Sequence, residues 1–295
     1  MHLHVSTLRR RRMTPLVLVM ALSLAAAGVV LAAVPAIQTI TPHKADQVTN
    51  IDVLRQQLKN YYGDPLAVTG SGATGTWNTH PLNLDSNYAH EAEGVAADAA
   101  HWLNARAHSQ RPSGIKAIVL DVDDTTLTTW NYEIFSNWDF NPATNGTFVT
   151  EQRFPATPGM VDMVNAAAEK GYAVFFLTGR PLAQEPATLG NLTDDNIGVD
   201  AGYPTPTTLN NGEDGLFTKP PVGSYPAYLD KPEFCAAAID AGASCPTIRY
   251  KSGVRAHIES LGYEIVANFG DQFSDLEGGF ADKTFKLPNP NYFLP

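Results

Sequence analysis

From Ile115 onward the chain alternates between continuous apolar runs and segments of helical period. The runs are Ala117-Ile118-Val119-Leu120, Tyr172-Ala173-Val174-Phe175-Phe176-Leu177 and Ile265-Val266-Ala267-Asn268-Phe269. Runs without polar alternation fit parallel strands that are covered on both faces. Between them, Thr157-Pro158 opens a helical pattern that Gly171 closes, with a capping residue followed by proline in the first turn. Ser252 to Leu261 is a second helical pattern, closed by Gly262. Strands alternating with helices make βαβ units, hence an α/β fold with a parallel sheet. Residues 201–230 hold nine Gly or Pro and predict an insertion or long loop.

Upstream the period is helical throughout. Ile51, Val53, Leu54, Leu58 and Tyr61 or Tyr62 recur at helix spacing. Asn87 to Ala107 predicts a longer helix, with Ala89, Val95, Ala99 and Trp102 along one stripe. Such stripes ordinarily pack on a core. The first segment reads differently. Arg9 to Arg12 precede an apolar run from Pro15 to Val34 that ends in small residues. A basic start, an apolar middle and a small-residue exit describe a secretory signal over residues 1–36. Cleavage fits Val34-Pro35-Ala36 or Val30-Leu31-Ala32, and the arginines also permit twin-arginine export. With the signal removed, no stable membrane anchor is expected, and the protein is secreted or extracytoplasmic.

Composition narrows the function classes. At 295 residues, one or two domains are expected. Hydrophobic residues at 44% against charged residues at 17% exclude a disordered chain. The net charge of −10 argues against a partner that is a nucleic-acid polymer. Loss of residues 1–36 removes four arginines and no acid, so the remaining surface is more acidic still. Two cysteines exclude a disulfide scaffold and a four-cysteine zinc site. In an exported protein, Cys235 and Cys245 are expected to be bridged.

The chemistry gathers where the apolar runs end. Open parallel sheets bind ligands at the carboxyl ends of their strands. Asp121-Val122-Asp123-Asp124-Thr125 follows the first run. Thr178-Gly179-Arg180 follows the second, and Gly270-Asp271-Gln272-Phe273-Ser274-Asp275 the third. Tyr250-Lys251-Ser252 precedes the last helical pattern. Asp121 and Asp123 are two apart, so a strand end can point both to one side. Paired carboxylates permit a nucleophile or metal ligand beside a general acid. A calcium loop counted from Asp121 fails, because Thr126 and Tyr132 stand where Gly and Glu are needed. The Thr178 hydroxyl and the backbone N–H of Gly179 can bind a phosphoryl oxygen. Arg180 suits either phosphate contact or a structural ion pair. Asp271 and Asp275 can hold magnesium with water completing its shell. Trp130, Tyr132, Phe135, Trp138 and Phe140 suit a lid over a substrate ring or simple packing. Asn145-Gly146-Thr147 and Asn191-Leu192-Thr193 match glycosylation acceptors. There is no Arg-His-Gly, His-Glu-x-x-His or Walker sequence.

Asp-x-Asp-x-Thr, then Thr, Lys and Gly-Asp-x-x-x-Asp in that order resembles the haloacid dehalogenase-like superfamily. Ile118 to Thr125, Tyr250 to Arg255, Gly262 to Leu276 and Lys286 to Tyr292 are most similar to its secreted acid phosphatases of the class B and vegetative-storage-protein type. The resemblance implies a Rossmann-like phosphatase domain over 113–295. That domain would carry a small cap at about 126–156 and the insertion at about 201–247, behind a helical extension at 37–112. It implies an exported Mg²⁺-dependent acid phosphatase acting on small phosphomonoesters, with an acidic optimum. A 5'-nucleotidase, a phosphotransferase of the same mechanism and a non-catalytic storage relative are the alternatives. Asp121 would attack phosphorus and Asp123 would serve as acid and then base. Thr178, Gly179, Arg180 and Lys251 would bind the phosphoryl group, with Thr178 and Lys251 in the catalytic set. Mg²⁺ would be held by Asp121, the Asp123 backbone carbonyl, Asp271 and Asp275. The family often carries Glu where this chain has Asp124.

Overall fold

The computed structural model describes residues 41–64, 81–107 and 114–294. The leader assigned to residues 1–36 lies outside the described residues. Five parallel strands form one sheet: β1 Ile115–Leu120, β2 Ala173–Pro181, β3 Leu216–Lys219, β4 Tyr263–Gly270 and β5 Thr284–Lys286. Their order is β3-β2-β1-β4-β5, so the nucleophile candidate follows the central strand. The helices are α1 Ile51–Tyr61, α2 Asn87–Ala107, α3 Trp130–Ser136, α4 Pro142–Thr150, α5 Met160–Glu169, α6 Glu185–Leu192, α7 Ala236–Asp240, α8 Thr247–Ser260 and α9 Phe273–Leu276. Among the described residues no helix is long and apolar enough to cross a membrane.

The apolar runs are explained by a core on each face. Ile118, Leu120, Val174 and Phe176 pack on the side that holds α2 and α5. Ala117, Val119, Ala173, Phe175 and Leu177 pack on the other, with Tyr250, Val254 and Ile258 of α8. Period-two alternation therefore delivers apolar side chains to both layers. The register between β1 and β4 shifts after Ala117, which pairs with Ile265 while Ile118 pairs with Ala267. The bulged Val266 accepts a hydrogen bond from the Trp102 indole at 3.0 Å, which ties α2 to the sheet.

A third cluster docks the amino-terminal helices. The Tyr62 ring stacks on Trp130 at 4.1 Å, nearly parallel at 6°, and on Tyr88 at 4.4 Å. Only the end of α1 is buried. Leu58 and Tyr62 pack, whereas Ile51, Val53 and Leu54 are exposed, so the expected apolar stripe covers one turn.

Several expectations need correction. Residues 201–230 are not wholly irregular, because β3 pairs with β2 through Phe176–Leu216 and Leu177–Phe217. Gly215 permits this approach, since a Cβ there would lie 2.5 Å from the Thr207 carbonyl oxygen. Helix α5 starts at Met160 after Gly159, not at Thr157. Thr157 is used instead as a tether, its N–H donating to Thr126 O at 2.9 Å. Helix α8 starts at Thr247, so Lys251 lies inside it rather than before it. Tyr250, Val254 and Ile258 form its buried stripe, which Arg249, Lys251 and Ser252 obscure in the sequence. Asn191 is fully buried and donates to Phe154 O at 2.8 Å and Val199 O at 2.9 Å, leaving no room for a sugar in the folded chain.

Cys235 and Cys245 are bridged, with their Cα atoms 5.3 Å apart. Both are buried in the α8-side core. Replacing both with serine is expected to lower stability by roughly 2–3 kcal/mol in urea titrations. A loss below about 0.5 kcal/mol would show that the loop is held by packing alone.

Candidate active site

Asp121 is the first residue past β1, and its N–H still donates to Phe269 O of β4 at 3.0 Å. The chain then turns sharply. Asp124 adopts a left-handed φ of 50°. Thr126 and Leu127 donate backbone N–H groups to Val122 O at 3.0 and 2.9 Å. The Asp124 carboxylate accepts from Thr129 N–H at 2.9 Å, which closes the turn from within. Asp124 is thus a structural acid. Burial pushes it up to about 6, against the Thr129 hydrogen bonds.

Three carboxylates converge. Asp121, Asp271 and Asp275 each offer an oxygen, and these atoms lie within 4.8 Å of one another. Gly270 makes the convergence possible, because a Cβ there would meet the Asp275 Cβ at 2.3 Å. Lys251 reaches in from α8, donating to Asp121 and, at 2.6 Å, to Asp275. Asp275 divides its oxygens between Lys251 and the Gln272 N–H, the latter at 2.8 Å. One ammonium therefore faces three buried acids. Burial pushes Asp121 up to about 7, opposed by Lys251 and reinforced by Asp275 and Asp123. Asp271 is raised well above the ordinary carboxylate value by burial and by its acidic neighbours. Burial works against the Lys251 charge, but Asp121 and Asp275 outweigh it and hold the lysine above its ordinary value. The shifts agree: the acids share one counter-charge, so the lysine is secure and the acids are not.

β1 ends at Leu120, so Asp123 belongs to the turn rather than to the strand. Arg180 donates to its carboxylate through Nε at 3.0 Å and Nη2 at 2.7 Å. The ion pair, one of the two readings of Arg180, is the one observed. Arg180 is itself anchored by Thr188 Oγ1 at 3.1 Å. Thr178 is buried at the same end of β2, and its Oγ1 accepts the Arg180 N–H at 3.1 Å. That leaves the Thr178 hydroxyl proton free to donate. Gly179 faces open space, with nothing within 4 Å of where a Cβ would sit.

The aromatic residues after the first motif pack rather than cover a ligand. Trp130 and Tyr132 are each 1% exposed, while Phe140 projects at 66%. Four contributors were given no role in the sequence reading, although three of them stand in its motif stretches. Thr125 Oγ1 donates to Asp271 at 3.3 Å, and Gln272 Nε2 donates to the same carboxylate at 2.6 Å. Asn289 also donates to Asp271 at 2.6 Å, from the segment after β5. Glu133 of α3 is buried near Asp124 and Asp123, and burial above all pushes it up to about 8. The available signal for Asn289 was its place in the Lys286-to-Tyr292 stretch that carries the family resemblance.

A five-stranded parallel sheet with its acids at the strand ends defines a haloacid dehalogenase-like α/β protein. The model of HAD superfamily, subfamily IIIB (acid phosphatase), matches residues 38–216 and 236–295, and the chain belongs to this family. It is 29% identical over 181 residues to a stem 28 kDa glycoprotein of Glycine max, covering 60% of this chain and 59% of that protein. It is 27% identical over 217 residues to acid phosphatase 1 of Solanum lycopersicum, covering 70% of this chain and 69% of that protein. The class C acid phosphatase from Bacillus anthracis aligns with a TM-score of 0.47 at 19% identity, over 70% of this chain and 80% of that one. The match thus spans somewhat under two thirds of the soybean relative's length.

Proposed function

We propose that this protein is an exported, Mg²⁺-dependent acid phosphatase that hydrolyses small phosphomonoesters through an aspartyl phosphate. The observation that carries the reading is the position of Lys251 between Asp121 and Asp275, with Asp271 in the same group of acids. Phosphoryl transfer depends mainly on positioning and charge neutralisation. Asp121 attacks phosphorus in line with the departing alcohol oxygen, forming the Asp–phosphate bond as the ester bond breaks. Asp123 gives its proton to that oxygen. It then takes a proton from the water that cleaves the aspartyl phosphate. Arg180 fixes the Asp123 carboxylate between these steps. Thr178 donates to a phosphoryl oxygen, the Gly179 N–H offers a second donor, and Lys251 offsets the negative charge.

The donor set fits a hard divalent cation. Three buried carboxylate oxygens within 4.8 Å suit Mg²⁺, and burial with neighbouring acids raises the pKa of Asp121 and Asp271. Asp121, Asp271 and Asp275 would hold it, with the Asp123 backbone carbonyl. Bound there, the ion supplies charge neutralisation between the attacking carboxylate and the phosphoryl oxygens. Export is supported by the leader pattern of residues 1–36 and by the Cys235–Cys245 bridge, which suits an oxidising compartment.

The test is phosphate release from a chromogenic aryl phosphate by the protein lacking residues 1–36. Activity is expected with Mg²⁺, to vanish after EDTA and to return when Mg²⁺ is restored. Nucleoside monophosphates and an added alcohol acceptor would identify the nucleotidase and phosphotransferase alternatives. Binding of these esters without release at any pH from acidic to mildly alkaline would replace the enzyme reading with a storage or binding role.

A further inference from the structure

The family model passes over residues 217–235, and this stretch forms much of a cavity beside Thr178-Gly179-Arg180. The cavity holds about 510 Å³ and has Gly179 at its edge. That volume suits a small organic group. Pro181, Leu182, Pro221 and Tyr225 give it apolar walls. The Thr178-to-Arg180 segment separates two environments. Arg180 turns its side chain toward Asp123, whereas Gly179 opens onto free space. Gly179 therefore presents no side chain between Thr178 and the cavity.

One cation stands in this cavity. Lys219 ends β3, in register with Pro181 of β2, which puts it at the carboxyl edge of the sheet with the other site residues. It is half-buried, and no carboxylate among the described residues pairs with it. Lys251 is near enough for the two ammonium groups to repel, which together with burial lowers the Lys219 pKa. A half-buried charge without a partner is costly in the free protein. An anionic ligand would relieve that cost. On an acidic protein, such a local cation also offsets the general repulsion of anions. The far wall is fixed in advance. Tyr225 Oη accepts the Cys245 N–H at 2.9 Å, so the disulfide loop holds both Tyr225 and the neighbouring Ser244 at the cavity.

We propose that this cavity is the leaving-group subsite, and that Lys219 selects phosphomonoesters whose organic part is flat, apolar and ends in a second anionic oxygen group. The inference rests on the phosphatase reading above and names its substrate class. The flat part packs on the proline and tyrosine walls. The terminal anion pairs with Lys219.

The test compares kcat/KM for 4-carboxyphenyl phosphate and 4-phosphonophenyl phosphate, each divided by that for phenyl phosphate in the same enzyme. Intrinsic leaving-group reactivity and the fraction of folded protein cancel when these ratios are compared between variants. At least one ratio is expected to fall about tenfold in Lys219→Met and to be largely kept in Lys219→Arg. The arm that falls further identifies the carboxylate or the phosphoryl group as the better ligand. Ratios unchanged within about twofold in Lys219→Met, with phenyl phosphate still hydrolysed by the unmodified protein, would overturn the subsite and leave the phosphatase reading standing. Equal loss in Lys219→Met and Lys219→Arg would assign the effect to shape and overturn the role of charge. Failure of the unmodified protein to release phosphate from any of the three esters would overturn both readings.

Discussion

Asp121→Asn is expected to lower phosphate release by roughly 10⁴-fold or more while the protein stays folded. The amide has the shape of the carboxylate but cannot form the covalent intermediate. Its backbone N–H keeps the bond to Phe269 O that ends the β1–β4 pairing. Lys251 keeps Asp275. One buried carboxylate is removed from a group in which three share a single ammonium, so little stability is lost. Steady-state kinetics with Mg²⁺, beside circular dichroism and a thermal melt, read both parts. Activity within tenfold of the unmodified protein would remove the aspartyl-phosphate mechanism.

Lys251→Met should damage both properties. The substitution keeps most of the side-chain length inside α8 and deletes the charge. Breaking a buried ion pair costs about 3–5 kcal/mol when its partners stay charged and unpaired. Proton uptake by Asp121 offsets part of this, since burial already holds its pKa near 7. A loss of about 3 kcal/mol in urea titrations at neutral pH is therefore expected. Mg²⁺ should recover part of it, because a cation bound to the same acids replaces some of the missing charge. Phosphate release should fall roughly 10²–10³-fold even with Mg²⁺ saturating, as for removal of one preorganised electrostatic group. A stability loss below about 1 kcal/mol would mean that the acids are neutral in the folded protein without the lysine.

The central part of the fold was legible because its strands are covered on both faces. β1, β2 and β4 needed no pattern finer than an unbroken apolar run. Their ends named Asp121, Thr178 and Asp271 before any contact was known. The edge strands carried no such mark. β3 has four residues and β5 three, too few for a period, and β3 lies between glycine and proline. Lys251 was picked out by type but placed outside its helix, because the polar residues around it interrupt the apolar stripe. Asp123 stands in the turn after β1, where its partner Arg180 comes from β2 and could not be read from strand alternation. Asn289 and Glu133 depend on long-range packing. The stretch around Asn289 was marked by resemblance, but composition alone does not say which of its residues reaches Asp271.

The bridge has a consequence for how the chain reaches its folded state. The sheet is centred on β1 and β4, whose paired residues Ile115 and Tyr263 are far apart in sequence. Closing a loop of that length delays the central pairing relative to local contacts. Cys235 and Cys245 are only 10 positions apart. They can meet while the sheet is still unformed. The chain has 2 cysteines, so oxidation within one molecule has a single product. Oxidation before folding cannot trap a wrong pairing, and refolding of the oxidised chain needs no thiol reshuffling.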